Sequence, residues 1–141
     1  MEPLKFTDRS NSFELDVEID DSTTPSRGDA RVVAATTSST FSGRGNGWVS
    51  QHGMERFCEA LIALEHSLRG EAKLQSMSPG AVELLIRSVT SRGHVAVEGK
   101  LGKLIYSRDS QFWHSVSFGF EFDQSQLTSA VALPWVRHYA G

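Results

Sequence analysis

Five histidines, at positions 52, 66, 94, 114 and 138, and a single cysteine, Cys58, are the side chains of this 141-residue chain best suited to metal binding or nucleophilic chemistry. No two of the histidines stand three or four apart, and neither a Cys-x-x-Cys nor a His-Glu-x-x-His is present. Zinc sites usually begin from such local pairs, because two ligands on one helical turn or one loop are already positioned. The spacing therefore predicts no bound metal. Gly43-Arg44-Gly45-Asn46-Gly47 lacks the Gly-Lys-Ser/Thr ending of a phosphate loop and the Gly-x-Gly-x-x-Gly spacing of a dinucleotide turn. No Gly-x-Ser-x-Gly nucleophile elbow occurs either, so the expectation is no cofactor and no enzymatic activity.

Two of these residues have a structural reading. His114 alternates with large apolar residues, which favours a partly buried imidazole bonded to a backbone carbonyl over a catalytic base with no nucleophile beside it. Cys58 stands next to Phe57 and near Leu61, where a thiol fills a core as a small hydrophobe. Recognition chemistry is better represented. Glu14, Asp16 and Glu18, continuing into Asp20 and Asp21, form the densest charge cluster, suited to a solvated strand face or to a basic partner. Arg44 lies close in sequence to Trp48, and these two residue types are enriched at the energetic centres of interfaces. Asp16, Glu18, Asp20, Asp21, Arg44 and Trp48 are therefore the candidate partner-binding residues. Arg27-Gly28-Asp29 matches an integrin-binding tripeptide, but three residues recur by chance and no export signal accompanies them.

The elements that must carry these residues follow from periodicity. Phe13-Glu14-Leu15-Asp16-Val17-Glu18-Ile19 alternates apolar and acidic side chains, which predicts a half-buried strand with Phe13, Leu15, Val17 and Ile19 inward. A loop over Asp20–Gly28, a strand over Asp29–Thr37 and a short strand near Phe41 follow, and the three glycines of 43–47 predict an exposed loop. Met54, Phe57, Leu61, Leu64 and Leu68 recur three and four apart, which predicts a helix from Gln51 to Arg69 stopped by Gly70. Strands are then expected at Ala72–Ser76, Ala81–Val89 and His94–Leu101. The long run Gln111–Phe122 places Phe112, His114, Val116, Phe118, Phe120 and Phe122 on one face. Asp123 and Gln126 have the spacing of a capping box for a second helix from Gln124, with an end or kink near Ala132 ahead of Pro134 before Trp135–Tyr139 packs down.

These elements make an α+β fold, a mainly antiparallel and curved sheet of about seven or eight strands with two helices on one face. Each half of the chain reads as several strands followed by a helix. At this length a single domain over 1–141 is the default. The formal net charge of −3 offers no broad footprint for a phosphate backbone, so nucleic acid is not an expected partner. The segment Met1–Arg9 is too charged for a signal peptide, and the longest apolar run, Ala60–Leu64, is far short of a membrane span. A soluble cytoplasmic protein is expected.

From Gly53 onward the residue pattern carries a family resemblance. Phe57–Leu64 in the helix, Arg69-Gly70-Glu71-Ala72-Lys73-Leu74 after it, Gly93-His94-Val95, and Phe118-Gly119-Phe120-Glu121-Phe122-Asp123-Gln124-Ser125-Gln126-Leu127 together resemble the WapI-type immunity proteins of bacterial toxin systems and a closely similar domain family of unknown function. The likeness covers about two-thirds of the chain, and the first 50 residues share only the strand-rich order. It implies a non-enzymatic bacterial protein that binds and neutralises a toxin encoded nearby, and it brings no catalytic or ligand residues with it. The alternative is a small-molecule-binding or enzymatic domain using the concave face of the sheet around Trp113 and His114.

Overall fold

The computed structural model describes residues 2–20 and 26–141. Asp21 and part of the loop expected after residue 19 lie outside them. Among the described residues, eight antiparallel strands and three helices run in the order β1 (Leu4–Asp8), β2 (Asn11–Ile19), β3 (Ala30–Thr37), β4 (Ser42–Val49), α1 (Gln51–Ser67), β5 (Glu71–Gln75), β6 (Val82–Ser88), β7 (Val95–Tyr106), β8 (Gln111–Phe122), α2 (Ser125–Val131) and α3 (Pro134–Ala140). The fold is α+β. Its strands form two four-stranded meanders, β1-β2-β3-β4 and β5-β6-β7-β8, each followed by helix. A meander needs only short turns between neighbours, which is why strand order equals sequence order in both.

In the first sheet the alternation of β2 sets which face is covered. Phe13, Leu15 and Val17 are buried and lie opposite Thr36, Ala34 and Val32 of β3, while Leu15 and Phe13 also lie opposite Leu4 and Phe6 of β1. β1 is a strand that its short span did not announce. It matters to the core, because Phe6 stacks on Phe122 of β8 with ring centroids 4.0 Å apart, and Phe13 of β2 stacks on Phe118 at 5.2 Å. These two pairs tie the sheets together, each adding about 1 kcal/mol beyond area burial. One core takes in the inner faces of both sheets and the apolar sides of the three helices.

Gly43, Gly45 and Gly47 are strand residues rather than an exposed loop. They alternate along β4, paired with Thr36, Ala34 and Val32 on the covered face. A Cβ on Gly43 would collide with Val116 of β8, and one on Gly45 with the Ala81 carbonyl ahead of β6. One on Gly47 would stand 2.9 Å from Ser76 Cβ, after β5. β4 thus runs across β8, the β6–β7 region and the end of β5 in turn, and only residues without side chains let the two backbones approach so closely.

The helix α1 starts at Ser50, whose Oγ accepts from Gly53 N at 3.0 Å, and buries Met54, Phe57, Cys58, Leu61 and Leu64 against β5 and α3. It stops before Gly70: Leu68 takes the left-handed conformation, at φ 55°, and returns its N–H to Leu64 O at 2.7 Å. At α2 the Asp123 carboxylate accepts from Ser125 N at 2.8 Å, but Gln126 does not close a capping box. Its amide instead accepts from Thr7 N at 2.8 Å and donates to Thr7 O at 2.9 Å, docking α2 on β1. Pro134 opens a third helix rather than only ending the second, since its missing N–H costs nothing at a first helical position.

Candidate functional site

The face of the first sheet opposite the core carries four of the candidate residues together. Side chains on it come from alternate positions: Lys5 of β1; Glu14, Asp16 and Glu18 of β2; Arg31, Val33 and Ala35 of β3; Arg44, Asn46 and Trp48 of β4. Register sets their neighbours. Lys5, Glu14, Ala35 and Arg44 form one row across the strands, Asp16, Val33 and Asn46 the next, and Glu18, Arg31 and Trp48 the third. Neighbouring strands are about 4.8 Å apart, so β2 and β4 hold the ends of these rows about 10 Å apart across the face.

The acidic residues are therefore not a uniformly negative surface. Lys5 stands directly across from Glu14, and Arg31 directly across from Glu18, while Arg44 lies beyond β3. Asp16, Glu18, Arg31 and Arg44 are exposed and form no ion pair with one another. Of the three β2 acids only Asp16 has no basic residue directly across from it, its partner being Val33, and a shallow depression of about 590 Å³ lies along Asp16, Glu18, Arg31 and Val33. Asp20 is exposed just beyond β2, and Asp21 lies outside the described residues. Trp48 remains 46% exposed, so its ring is open to solvent rather than folded back on the core.

A second surface adjoins this one and was not signalled by residue pattern. The β7–β8 hairpin continues past the end of β6, where Val82 lies opposite Leu101, so its last residues have no third strand beside them. Tyr106, Phe112 and Trp113 are 70%, 56% and 49% exposed. Trp113 lies against Gly80 and Gly102, and with Leu104, Lys103, Met77, Arg44, Asn46 and Val33 it lines a groove of about 750 Å³ between the hairpin and β4. The apolar face predicted over 112–122 is thus covered only toward its end: Phe122 is buried, Val116, Phe118 and Phe120 are half-buried, and His114 is exposed rather than partly buried.

Trp113 and His114 point to opposite faces of β8 and do not line one concave pocket. His114 borders a separate depression of about 250 Å³ with Gly43, Lys103 and Ile105. Cys58 is fully buried, and burial first, then the neighbouring Glu59 carboxylate, pushes its thiol up to about 12, so it holds its proton and is withdrawn from nucleophilic work. Among the described residues no group of three His, Cys, Asp or Glu side chains converges as a metal site. The Arg27-Gly28-Asp29 tripeptide is not presented as a loop tip. Arg27 pairs with Glu55 at 3.0 Å and donates to the Tyr139 carbonyl, Gly28 accepts from Tyr139 OH at 2.9 Å, and Asp29 accepts from Gln51 N at 2.8 Å.

No helix among the described residues is long and apolar enough to cross a membrane. Comparison with family models returns one described as the immunity protein WapI-like family, matching residues 4–132, from the start of β1 to just past α2. The match includes the strands of the first sheet, where residue pattern showed only a strand-rich order. Searches of the curated proteins and of the solved structures returned no significant match.

Proposed function

Given that the chain belongs to the WapI-like immunity protein family, we propose that it acts in the bacterial cytoplasm by stoichiometric binding to a toxin protein, without turnover. Family membership carries this reading, and the geometry supports it with a surface of suitable kind. The open face of the first sheet offers Arg44 and Trp48 beside the charged rows of β2 and β3, and the adjoining groove adds Met77, Tyr106 and Trp113. Aromatic residues, Met and Arg are enriched in interface cores, and a charged rim sets orientation and encounter rate. Asp16, Glu18, Asp20, Arg44 and Trp48 are the residues assigned to that contact.

The test is co-expression with the C-terminal domain of a toxin encoded beside this chain. Restored growth, co-purification as a one-to-one complex, and toxin activity that falls linearly to zero at one equivalent are the expected results. Failure to protect, or complete inactivation of the toxin by a small fraction of an equivalent, removes the reading.

A further inference from the structure

The free edge of the second sheet is the place in this molecule most in need of a partner. β8 is an edge strand, and two hydrogen bonds fix which of its backbone groups point away from β7. Ser107 N donates to Ser110 O at 2.9 Å, closing the hairpin around Arg108-Asp109, and Gly102 N donates to Ala81 O at 3.0 Å, away from β8. Hydrogen-bonded and non-bonded pairs alternate along an antiparallel ladder, so Gly102–Ser115 and Leu104–Trp113 are non-bonded pairs. The N–H and C=O groups of Gln111, Trp113, Ser115, Ser117 and Gly119 therefore face outward. Natural edge strands are guarded by charges, prolines or bulges. From Ser110 to Phe120 this one has no Asp, Glu, Lys, Arg or Pro, and it pairs with β7 without interruption.

We propose that a second copy of this chain covers the edge, pairing β8 with β8 antiparallel about a two-fold axis at Ser115 and joining the two second sheets into one of eight strands. The sequence around Ser115 is self-complementary for that operation. Phe112-Trp113-His114-Ser115-Val116-Ser117-Phe118 sets Phe112 of each copy opposite Phe118 of the other, Trp113 opposite Ser117 and His114 opposite Val116, with no like charges facing. Phe112 and Phe118 lie on the same face of β8. Beside Phe118 is a cleft of about 230 Å³, lined also by Thr37, Ser38, Phe41 and Phe120, where the exposed Phe112 ring of the second copy comes to rest. The open face of the first sheet is not used in this pairing.

Light scattering or sedimentation of the isolated chain across micromolar concentrations tests it. The expected mass is twice 15.5 kDa. Ser115→Pro removes an outward N–H that β7 does not use, and Ser115→Lys places two ammonium groups across the two-fold axis. Each should return the mass to a single chain, and an unchanged circular dichroism spectrum with a melt that stays cooperative and no longer depends on protein concentration would show the fold intact. Should the proline variant fail to fold, the lysine variant decides. A single-chain mass for the wild type throughout, or a dimer that survives Ser115→Lys, overturns the proposal.

Discussion

β4 and β8 are both edge strands, and they solve the edge in opposite ways. β4 gives up side chains: Gly43, Gly45 and Gly47 let it lie across the second sheet until backbone and side chains of β5–β8 cover it. β8 keeps large side chains along its whole length and is covered at one end only, from Phe122, buried under Phe6, to Phe112, open to solvent. A strand's contribution to stability is thus set by what lies over each residue, not by its composition. The comparison also separates roles within one molecule, since the covered parts hold the fold and the uncovered parts are available for recognition.

The contrast along β8 gives the largest expected effect. Phe122→Ala should cost about 3–5 kcal/mol, because the ring is buried and its loss leaves a cavity between the sheets. Phe112→Ala, ten positions away on the same face, should change the stability of the single chain by less than about 0.5 kcal/mol, measured at concentrations too low for two copies to pair. Denaturant melts of the two variants measure the difference directly; equal costs would mean that the hairpin end is covered in solution by the chain itself.

Next comes β4. Gly45→Val should cost about 3 kcal/mol, at the upper end of overpacking, because the Ala81 carbonyl in its way is backbone and cannot rotate aside. Asn46→Val, its outward neighbour, should be close to neutral. A Gly45 variant as stable as wild type would show that the two sheets can separate at this seam without penalty.

Which of these features could be read from residues alone has a physical pattern. Alternation in Phe13–Ile19 and the three-four spacing of Met54 to Leu64 depend on local geometry, and both elements and their buried faces follow from them. Coverage depends on distant parts of the chain. Three alternating glycines are compatible with a flexible loop or with a strand pressed on another backbone, and only the seam decides. Six alternating side chains over 112–122 identify a face but not how far the neighbouring strand extends, and β6 ends where the exposed hairpin begins. Likewise the acids of β2 are plain in the sequence, whereas Lys5 and Arg31 opposite them are a matter of register, which is not written locally. Asp16 and Glu18 were legible as candidates because exposed strand positions alternate, and Arg44 and Trp48 by residue type alone, in a segment that reads locally as a loop and is a strand. The adjoining groove was not, because Met77, Tyr106 and Trp113 meet β4 only through tertiary packing.

A third effect tests how firmly the interior is closed. Cys58 has its thiol raised from the usual 9.0 to about 12, chiefly by burial. In the unfolded chain the thiol releases its proton near pH 9, while the folded chain retains it, so the unfolded state binds fewer protons as pH rises and stability falls between pH 9 and 12. At about 1.4 kcal/mol per unit, wild type should lose about 2 kcal/mol more than Cys58→Ala on going from pH 8 to pH 10.5. Tyr139, raised to about 12 by burial and then by Cys58, Asp29 and Glu55, adds loss in the same direction above pH 10. Parallel pH profiles for the two proteins would place the thiol in contact with solvent.

The smallest effect on the fold should come from the open face itself, and there stability and binding part company. Asp16→Asn with Glu18→Gln, and separately Trp48→Ala, should each move stability by less than about 0.5 kcal/mol, since all three side chains are exposed and none is in an ion pair. Their consequences for the proposed toxin complex differ in kind. Arg31 stands across the ladder from Glu18 and tempers the negative potential, so neutralising the two acids should slow association by less than about tenfold and flatten its salt dependence. Dissociation should hardly change, because charges on a wet rim steer encounter more than they hold the complex. Trp48 is rigid and apolar at the other side of the same face, and its truncation should instead speed dissociation by about tenfold or more. Association and dissociation rates measured at low and high salt separate the two. If the acid pair governs dissociation, those carboxylates are buried against the partner and the centre of the interface lies on β2; if neither variant alters either rate, the toxin contacts another surface and the rows across β2, β3 and β4 are only the solvated side of the sheet.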